Sequence, residues 1–419
     1  MNNQEKKTIK RFLEKYYKNN NKFIYPLLEK TFSTNDLLAA IKVIFSGQMT
    51  MSKITEKFEK KFAKIIGANY AVMVNSGSSA NLLATFASCN PLRKNRFKPG
   101  DEVLIPSLCW PTSLWPLVQS GLKPIFVDPE VMSLNVDANN LIKKINKKTK
   151  VILLVHVLGN GTDVKKIKTI AKKKKIILIE DTCESLGSKF NEKSLGTFGD
   201  FGTYSFYFSH QISSIEGGMV VCNSSEDYQL LRTMRSHGWA RNIKLNNKFK
   251  ERYKNIDDRF LFINSGFNIR PTEINAAIGL SQIKKLRKSQ KIRTQNKIKI
   301  INKLKSSKKW NNQFSFFHSS KSINANYFGF PIFLNRNFQK KRKFTKFLET
   351  KKIETRPIIT GNFVNQPAIK LFKLNKKNKY FPNAEEIEKR AFFIGLHAKP
   401  IDNKTLNYLT KNLMKIEEI

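Results

Sequence analysis

Ile176-Ile177-Leu178-Ile179-Glu180-Asp181-Thr182 is an apolar run that stops on two adjacent carboxylates. No polar residue interrupts the aliphatic part, so both faces ask for cover, as in a strand buried inside a parallel sheet. Doubly wound sheets gather ligands at the carboxyl ends of their strands, which is where Asp181 falls. Taken alone, Asp181 also reads as a helix N-cap.

Similar short apolar, β-branched runs surround this one from Ala71 to Asn223. They predict strands at Ala71–Val74, Glu102–Ile105, Pro124–Val127, Val151–Val155, Ile176–Ile179, Thr203–Phe206 and Met219–Cys222. A helix opening on a Gly-Ser turn over Ser78–Ser88 and an amphipathic helix over Val164–Lys174 lie between them, so the pattern is βαβ with a mostly parallel sheet. After Pro271 a helical stretch runs to about Asn302. An extended segment at Tyr327–Leu334 and a helix near Phe338–Thr350 follow, which suggests a smaller C-terminal α+β domain. The expected organisation is a helical segment at 1–52, a large α/β domain at 53–290 and a small domain at 291–419. Lys/Asn-rich patches at 305–312 and 374–379 read as loops.

The 419 residues carry 76 Lys and Arg against 32 Asp and Glu, a formal charge of +44. The lysines are spread over most expected helices, as in 165–175 and 284–308, which fits a solvated basic surface better than a dedicated nucleic-acid site. Apolar runs such as Val151–Val155 are too short to span a bilayer, and Met1–Arg11 is polar with no apolar stretch behind it, so a cytoplasmic protein is expected. The four cysteines, at 89, 109, 183 and 222, lack the paired spacings of a zinc or iron–sulfur site and read as reduced packing residues, with no metal.

Two further stretches bear polar groups at strand ends. Asn75-Ser76-Gly77-Ser78-Ser79-Ala80-Asn81 leaves a strand and opens a helix, where free N–H groups and the helix dipole suit a phosphate, although such a turn can equally be a plain cap. Tyr204-Ser205-Phe206-Tyr207-Phe208-Ser209-His210-Gln211-Ile212 leads into Glu216-Gly217-Gly218 and a new strand. These, with Gly47-Gln48-Met49-Thr50-Met51 and Gly266-Phe267-Asn268-Ile269-Arg270-Pro271-Thr272-Glu273, resemble in order and over nearly the whole chain the DegT/StrS sugar aminotransferase family.

The resemblance implies an aspartate-aminotransferase-like fold (PLP fold type I), a homodimer, and pyridoxal or pyridoxamine 5'-phosphate as cofactor. Position by position it implies that Gly77 and Ser78 bind the cofactor phosphate, Ser205 adds a hydroxyl to it, Trp110 stacks on the ring and Asp181 pairs with the ring nitrogen, making it an electron sink. Asn268 would reach the phosphate of the neighbouring subunit's cofactor. Glu184 stands where the family often has Gln or His, leaving open a contact with the ring hydroxyl or a surface cap.

The departure from the family is His210, which stands where most members carry the Schiff-base lysine. Imidazole forms no stable adduct with the cofactor aldehyde, but it can accept and return a proton near neutral pH. This substitution resembles the sugar 3-dehydratase branch, as do Trp110-Pro111-Thr112, Gly361-Asn362-Phe363-Val364-Asn365-Gln366-Pro367 and Phe393-Ile394-Gly395-Leu396. It implies removal of the 3-hydroxyl from a nucleotide-linked 4-keto-6-deoxy sugar, with His210 as acid/base, in deoxysugar and surface-polysaccharide synthesis. The chain has no cysteine beyond Cys222 to hold an iron–sulfur reductant, so completion by hydrolysis and cofactor regeneration from glutamate is expected. Arg270 is a candidate for the glutamate carboxylate. Two alternatives stay open: an aminotransferase working through Lys189 or Lys193, and a non-catalytic polyanion-binding protein.

Overall fold

The computed structural model describes residues 3–16, 22–29, 32–241, 243, 247–375 and 379–419, so part of the patch read as a loop at 374–379 lies outside the described residues. The strands run β1 (Tyr70–Val74), β2 (Glu102–Pro106), β3 (Lys123–Val127), β4 (Thr149–Val155), β5 (Ile177–Asp181), the short pair β6 (Lys189–Phe190) and β7 (Lys193–Ser194), then β8 (Phe201–Ser205) and β9 (Gly218–Cys222). Seven of them form one sheet in the order β1-β9-β8-β5-β4-β2-β3. β9 runs antiparallel to β1 and β8, while β8, β5, β4, β2 and β3 are parallel.

Helices cover both faces. α1 (Asn3–Tyr16) and α2 (Thr34–Phe45) precede α3 (Lys53–Ile66), which buries Phe58, Phe62 and Ile66 at fourfold spacing and ends at Gly67, whose φ of 79° closes the helix. α4 (Gly77–Ser88) is capped by Ser76, whose hydroxyl accepts from the Ser79 N–H at 3.0 Å; α5 (Pro111–Gln119) starts behind Trp110 with proline in its first turn. The helix Glu273–Gln282 packs on α2 and α3, and Glu273 accepts bonds from the N–H groups of Ser52, Ile54 and Thr55 at the start of α3.

The helix Leu286–Lys305, in which the boundary expected at 290 falls, leads to a second sheet. Its strands come from β10 (Phe314–Phe316), β12 (Phe330–Leu334), β13 (Thr355–Pro357) and β14 (Ala391–Ile394), in the order β10-β12-β14-β13, while β11 (Ile323–Asn324) pairs back onto β6. The core here unites Ile300, Leu304, Phe330, Phe344 and Leu409 with Tyr25. The region 1–52, expected to be helical, thus also lends an extended stretch to this unit: Tyr25 bridges Ile353 and its hydroxyl donates to the Gly395 carbonyl at 3.1 Å.

β5 differs in one respect from its expected extent. The sheet takes in both carboxylates, pairing Glu180 with Gly202 and Asp181 with Thr203. Strand alternation sends them to opposite faces, and each finds donors there, so the N-cap reading of Asp181 is replaced by a place inside the strand. Glu180 is fully buried and accepts from the N–H groups of Gly196, Phe198 and Gly199 at 2.7–2.9 Å, with His156 Nε2 at 3.1 Å. These partners hold its carboxyl below its ordinary range against the opposing effect of burial. Its contribution is therefore present above the ordinary carboxylate pKa and is lost as pH falls through the lowered one. Glu180→Ala should cost about 3–5 kcal/mol in urea unfolding at neutral pH, whereas Glu192→Ala, at the exposed Lys189–Glu192 pair, should change stability by less than about 1 kcal/mol.

Candidate active site

The ends of β5 and β8 and the start of α4 meet at the carboxyl edge of the sheet. Asp181 Oδ2 accepts from Asn81 Nδ2 at 2.8 Å and Ser113 Oγ at 2.7 Å, and Thr203 completes a relay by donating to Asn81 Oδ1 at 2.6 Å. Asp181 Oδ1 accepts the Cys183 N–H at 3.1 Å. Three elements therefore fix one carboxylate.

Beside it, Gly77 touches Ser205 so closely that a Cβ on Gly77 would sit 2.5 Å from the Ser205 Cβ and 2.8 Å from its Oγ. Glycine is required here by contact, and the α4 N-terminus with the exposed Ser78 lies open above it. Trp110, at the start of α5, is 54 % exposed although its neighbour Cys109 is buried. Its ring face is thus accessible from solvent.

His210 follows two residues on from the exposed Phe208. Its Nδ1 lies 2.5 Å from the Cys183 carbonyl, an acceptor only, so Nδ1 carries the proton and Nε2 keeps its lone pair. Burial pushes its pKa down to about 4; the bond to Cys183 and the charge of Asp181 act the other way, and Arg293 acts with burial. The ring is therefore neutral at pH 7 and is a base ready to take a proton, because desolvation outweighs its partners.

Glu184 is no surface cap. It turns inward, accepts the Leu158 N–H at 2.9 Å, and is pushed up to about 7 by burial, against that bond and with the nearby Asp181 charge. Leu158 presents its N–H from a left-handed backbone, φ 50°. Gln211 and Ser113 also belong to this region and were not singled out in the sequence; Asn81 had a signal, one turn after Gly77 on the same helix, whereas the His156–Glu180 pair lies on the opposite face of the sheet.

Asn268 and Arg270 stand apart from this cluster. Both are exposed, Arg270 Nε donates to Asn268 Oδ1 at 3.1 Å, and the strand-like stretch they occupy is tied to Asn75 and Arg235 through Ile269. They line a cleft of about 1070 Å³ with Arg232, Arg241 and Trp239, separate from His210. Lys189 pairs with Glu192 at 3.0 Å and Lys193 sits over the Phe198 ring, so neither side chain is directed to the lysine position.

A parallel sheet with β9 reversed, a phosphate-suited helix start at one strand end and a carboxylate at the next define an α/β chain of the aspartate-aminotransferase type, PLP fold type I. The profile of the DegT/DnrJ/EryC1/StrS aminotransferase family matches residues 31–412, and the chain belongs to that family. It is 38 % identical over 377 residues to the GDP-4-keto-6-deoxy-D-mannose 3-dehydratase of Escherichia coli O55:H7, covering 89 % of this chain and 95 % of the relative. The structure of the E. coli GDP-4-keto-6-deoxy-D-mannose-3-dehydratase with bound hydrated PLP superposes with a TM-score of 0.83 at 34 % identity, covering 93 % of this chain and 99 % of that one. A second structure of GDP-4-keto-6-deoxymannose-3-dehydratase, with a trapped PLP-glutamate geminal diamine, gives 0.82 at 34 %, covering 93 % and 100 %. Among the described residues no helix is long and apolar enough to cross a membrane.

The raised Glu184 has a consequence for stability. Between the ordinary carboxylate value and about 7 the folded chain holds a proton that the unfolded chain releases, so stability is greatest below that window and falls as pH rises through it. Glu184→Gln removes the titration while keeping the shape. The melting temperature of the variant relative to the native chain should therefore rise from about pH 5 to about pH 8; parallel melting curves across that range would contradict the buried carboxyl.

Proposed function

We propose that the chain is a PLP/PMP-dependent nucleotide-sugar 3-dehydratase that removes the 3-hydroxyl of a 4-keto-6-deoxy sugar, in deoxysugar and surface-polysaccharide synthesis. The observation that carries the reading is His210 at the lysine position, with Nδ1 anchored to a carbonyl and Nε2 free. A GDP-linked substrate is favoured by the relative with 38 % identity.

The residues present suit the cofactor. The Gly77–Ser205 contact leaves a cradle without side-chain bulk at the helix start, with Ser78 beside it. Asp181 Oδ1 takes only the Cys183 N–H, against two donors on Oδ2, and so keeps acceptor capacity for a protonated ring nitrogen. Trp110 offers a ring face, and Glu184 can meet the ring hydroxyl. When bound, pyridoxamine phosphate supplies an amine for the C4 keto group and a ring that takes up an electron pair.

The chain's own residues do the rest. Asp181 would hold the ring nitrogen of the bound cofactor and favour its protonated form. His210, neutral at pH 7, accepts a proton at Nε2 and returns it to the departing C3 oxygen, so a single imidazole serves as base and then acid. The Cys183 carbonyl holds the tautomer that makes this possible. Glutamate is the proposed amine source. The catalytic unit is proposed to be a homodimer in which the exposed Asn268 completes the partner's phosphate pocket and Arg270 lies beside it, since twofold dimers give both sites the same cross-contact.

Without a lysine at 210, borohydride should fix no pyridoxal phosphate to the chain; a stoichiometric labelled lysine peptide would instead point to an aminotransferase. His210→Asn should bind cofactor yet dehydrate about a hundred- to ten-thousand-fold more slowly, and near-native turnover would remove His210 from the mechanism. For the dimer, His210→Asn and Asn268→Asp chains mixed under conditions that exchange subunits should recover partial activity, whereas a fully active monomer in sedimentation would contradict a shared site.

A further inference from the structure

Arg293 is a charged group in the interior that nothing in the site described so far uses. It lies on the helix Leu286–Lys305 with 4 % of its surface exposed. Its Nε donates to the Leu396 carbonyl at 3.1 Å, while Nη1 is buried without a hydrogen-bond partner. The other inward-facing arginines are neutralised: half-buried Arg93 by Asp200 and Asp227, and buried Arg235 by Glu59. No ion pair among the described residues includes Arg293. An unmatched guanidinium in such surroundings is costly to keep, and where one persists an anion is the expected complement.

Its position connects it to His210. Gln290, three residues earlier on the same helix, donates to the Ala325 carbonyl at 3.4 Å, and Gln211, adjacent to His210, donates to the Asn326 carbonyl at 3.3 Å. The Phe328 ring from the same segment lies 5.2 Å from the His210 ring. Helix, segment and His210 loop therefore pack as one unit, and the Arg293 charge is felt by the imidazole. Burial lowers Arg293 and Glu29 from the N-terminal segment opposes it, while Arg293 in turn acts on His397 beyond β14; those acting on His210 are Cys183, Asp181 and Arg293 itself. Gln211 Oε1 and Asn326 Oδ1 are also buried without partners. Unpartnered acceptors on the His210 loop and on the segment that joins it to the Arg293 helix, together with an unpartnered cationic donor on that helix, are the groups that a molecule bearing both an ammonium and a carboxylate would satisfy.

We infer that Arg293, rather than Arg270, receives the carboxylate of an amino-acid amine donor, and that this carboxylate couples to the proton on His210. The inference rests on the proposed reading of the chain as an enzyme that takes its amine from an amino acid. With Arg293 unmatched, a positive charge disfavours the imidazolium. A carboxylate on Arg293 cancels that charge, so His210 holds a proton more readily once the donor is seated. By reciprocity the donor binds more tightly when His210 is protonated.

The test uses the cofactor-loaded full chain and L-glutamate, with binding followed by calorimetry and the His210 proton by histidine NMR, the signal being assigned with His210→Asn. Arg293→Gln should weaken L-glutamate by at least about tenfold, the cost of a lost charge-assisted contact. Even without glutamate its His210 should titrate at higher pH than in the native chain. Glutamate should raise the His210 titration in the native chain and not in this variant. Arg293→Lys, which keeps a charge, should retain part of the glutamate affinity and report that the fold is intact. Loss of glutamate binding in Arg270→Gln with none in Arg293→Gln would overturn the inference, as would a His210 titration indifferent to Arg293. A chain that binds glutamate through Arg293 yet dehydrates no nucleotide sugar would uphold the inference and sink the dehydratase reading.

Discussion

Two adjacent carboxylates on β5 organise this molecule by pointing opposite ways. Glu180 gathers three backbone N–H groups and His156 on one face, and so pins the turn between β7 and β8 under the sheet. Asp181, held from the other face by Asn81 and Ser113 at one oxygen, has only the Cys183 N–H on the other. A one-residue slip of this strand would exchange the two and leave both without donors. Burying two charges side by side is tolerable only because each is fully provided with donors on its own face.

The same low-dielectric setting decides the proton chemistry. Burial moves His210 down and Glu184 up, so at neutral pH the site holds a neutral base and a carboxyl close to half-protonated instead of an imidazolium and a carboxylate. Such separation of titratable groups is a common mark of acid/base function. The loss of the lysine is therefore more than a deletion: the histidine is anchored through Nδ1 so that one nitrogen alone faces outward.

Much of this was legible in the sequence. The strand runs, the Gly77 turn and Asp181 at a strand end follow from periodicity and turn chemistry, while His210 was marked only by the family resemblance that the ordered motifs carry, and the expected strands at 71–74, 102–105 and 219–222 each lie within an observed one. Glu184 was not legible, because whether a carboxyl caps a surface turn or accepts the N–H of a left-handed Leu158 depends on how another loop folds, which composition does not record. Arg293 was hidden for a different reason: among so many scattered lysines and arginines a single buried guanidinium has no sequence mark, and its isolation is a property of packing alone. The extended Tyr25 stretch likewise depends on a partner, Ile353, more than three hundred residues away.

The central claim is that this aminotransferase scaffold removes an oxygen from the sugar instead of adding a nitrogen to it. Mass spectrometry of a GDP-linked 4-keto-6-deoxy sugar after incubation with the purified chain, pyridoxal phosphate and L-glutamate tests it most directly. The account predicts a product lighter by one oxygen, with the keto group retained and no nitrogen gained. A product carrying an amine at carbon 4 and still bearing its 3-hydroxyl would contradict it.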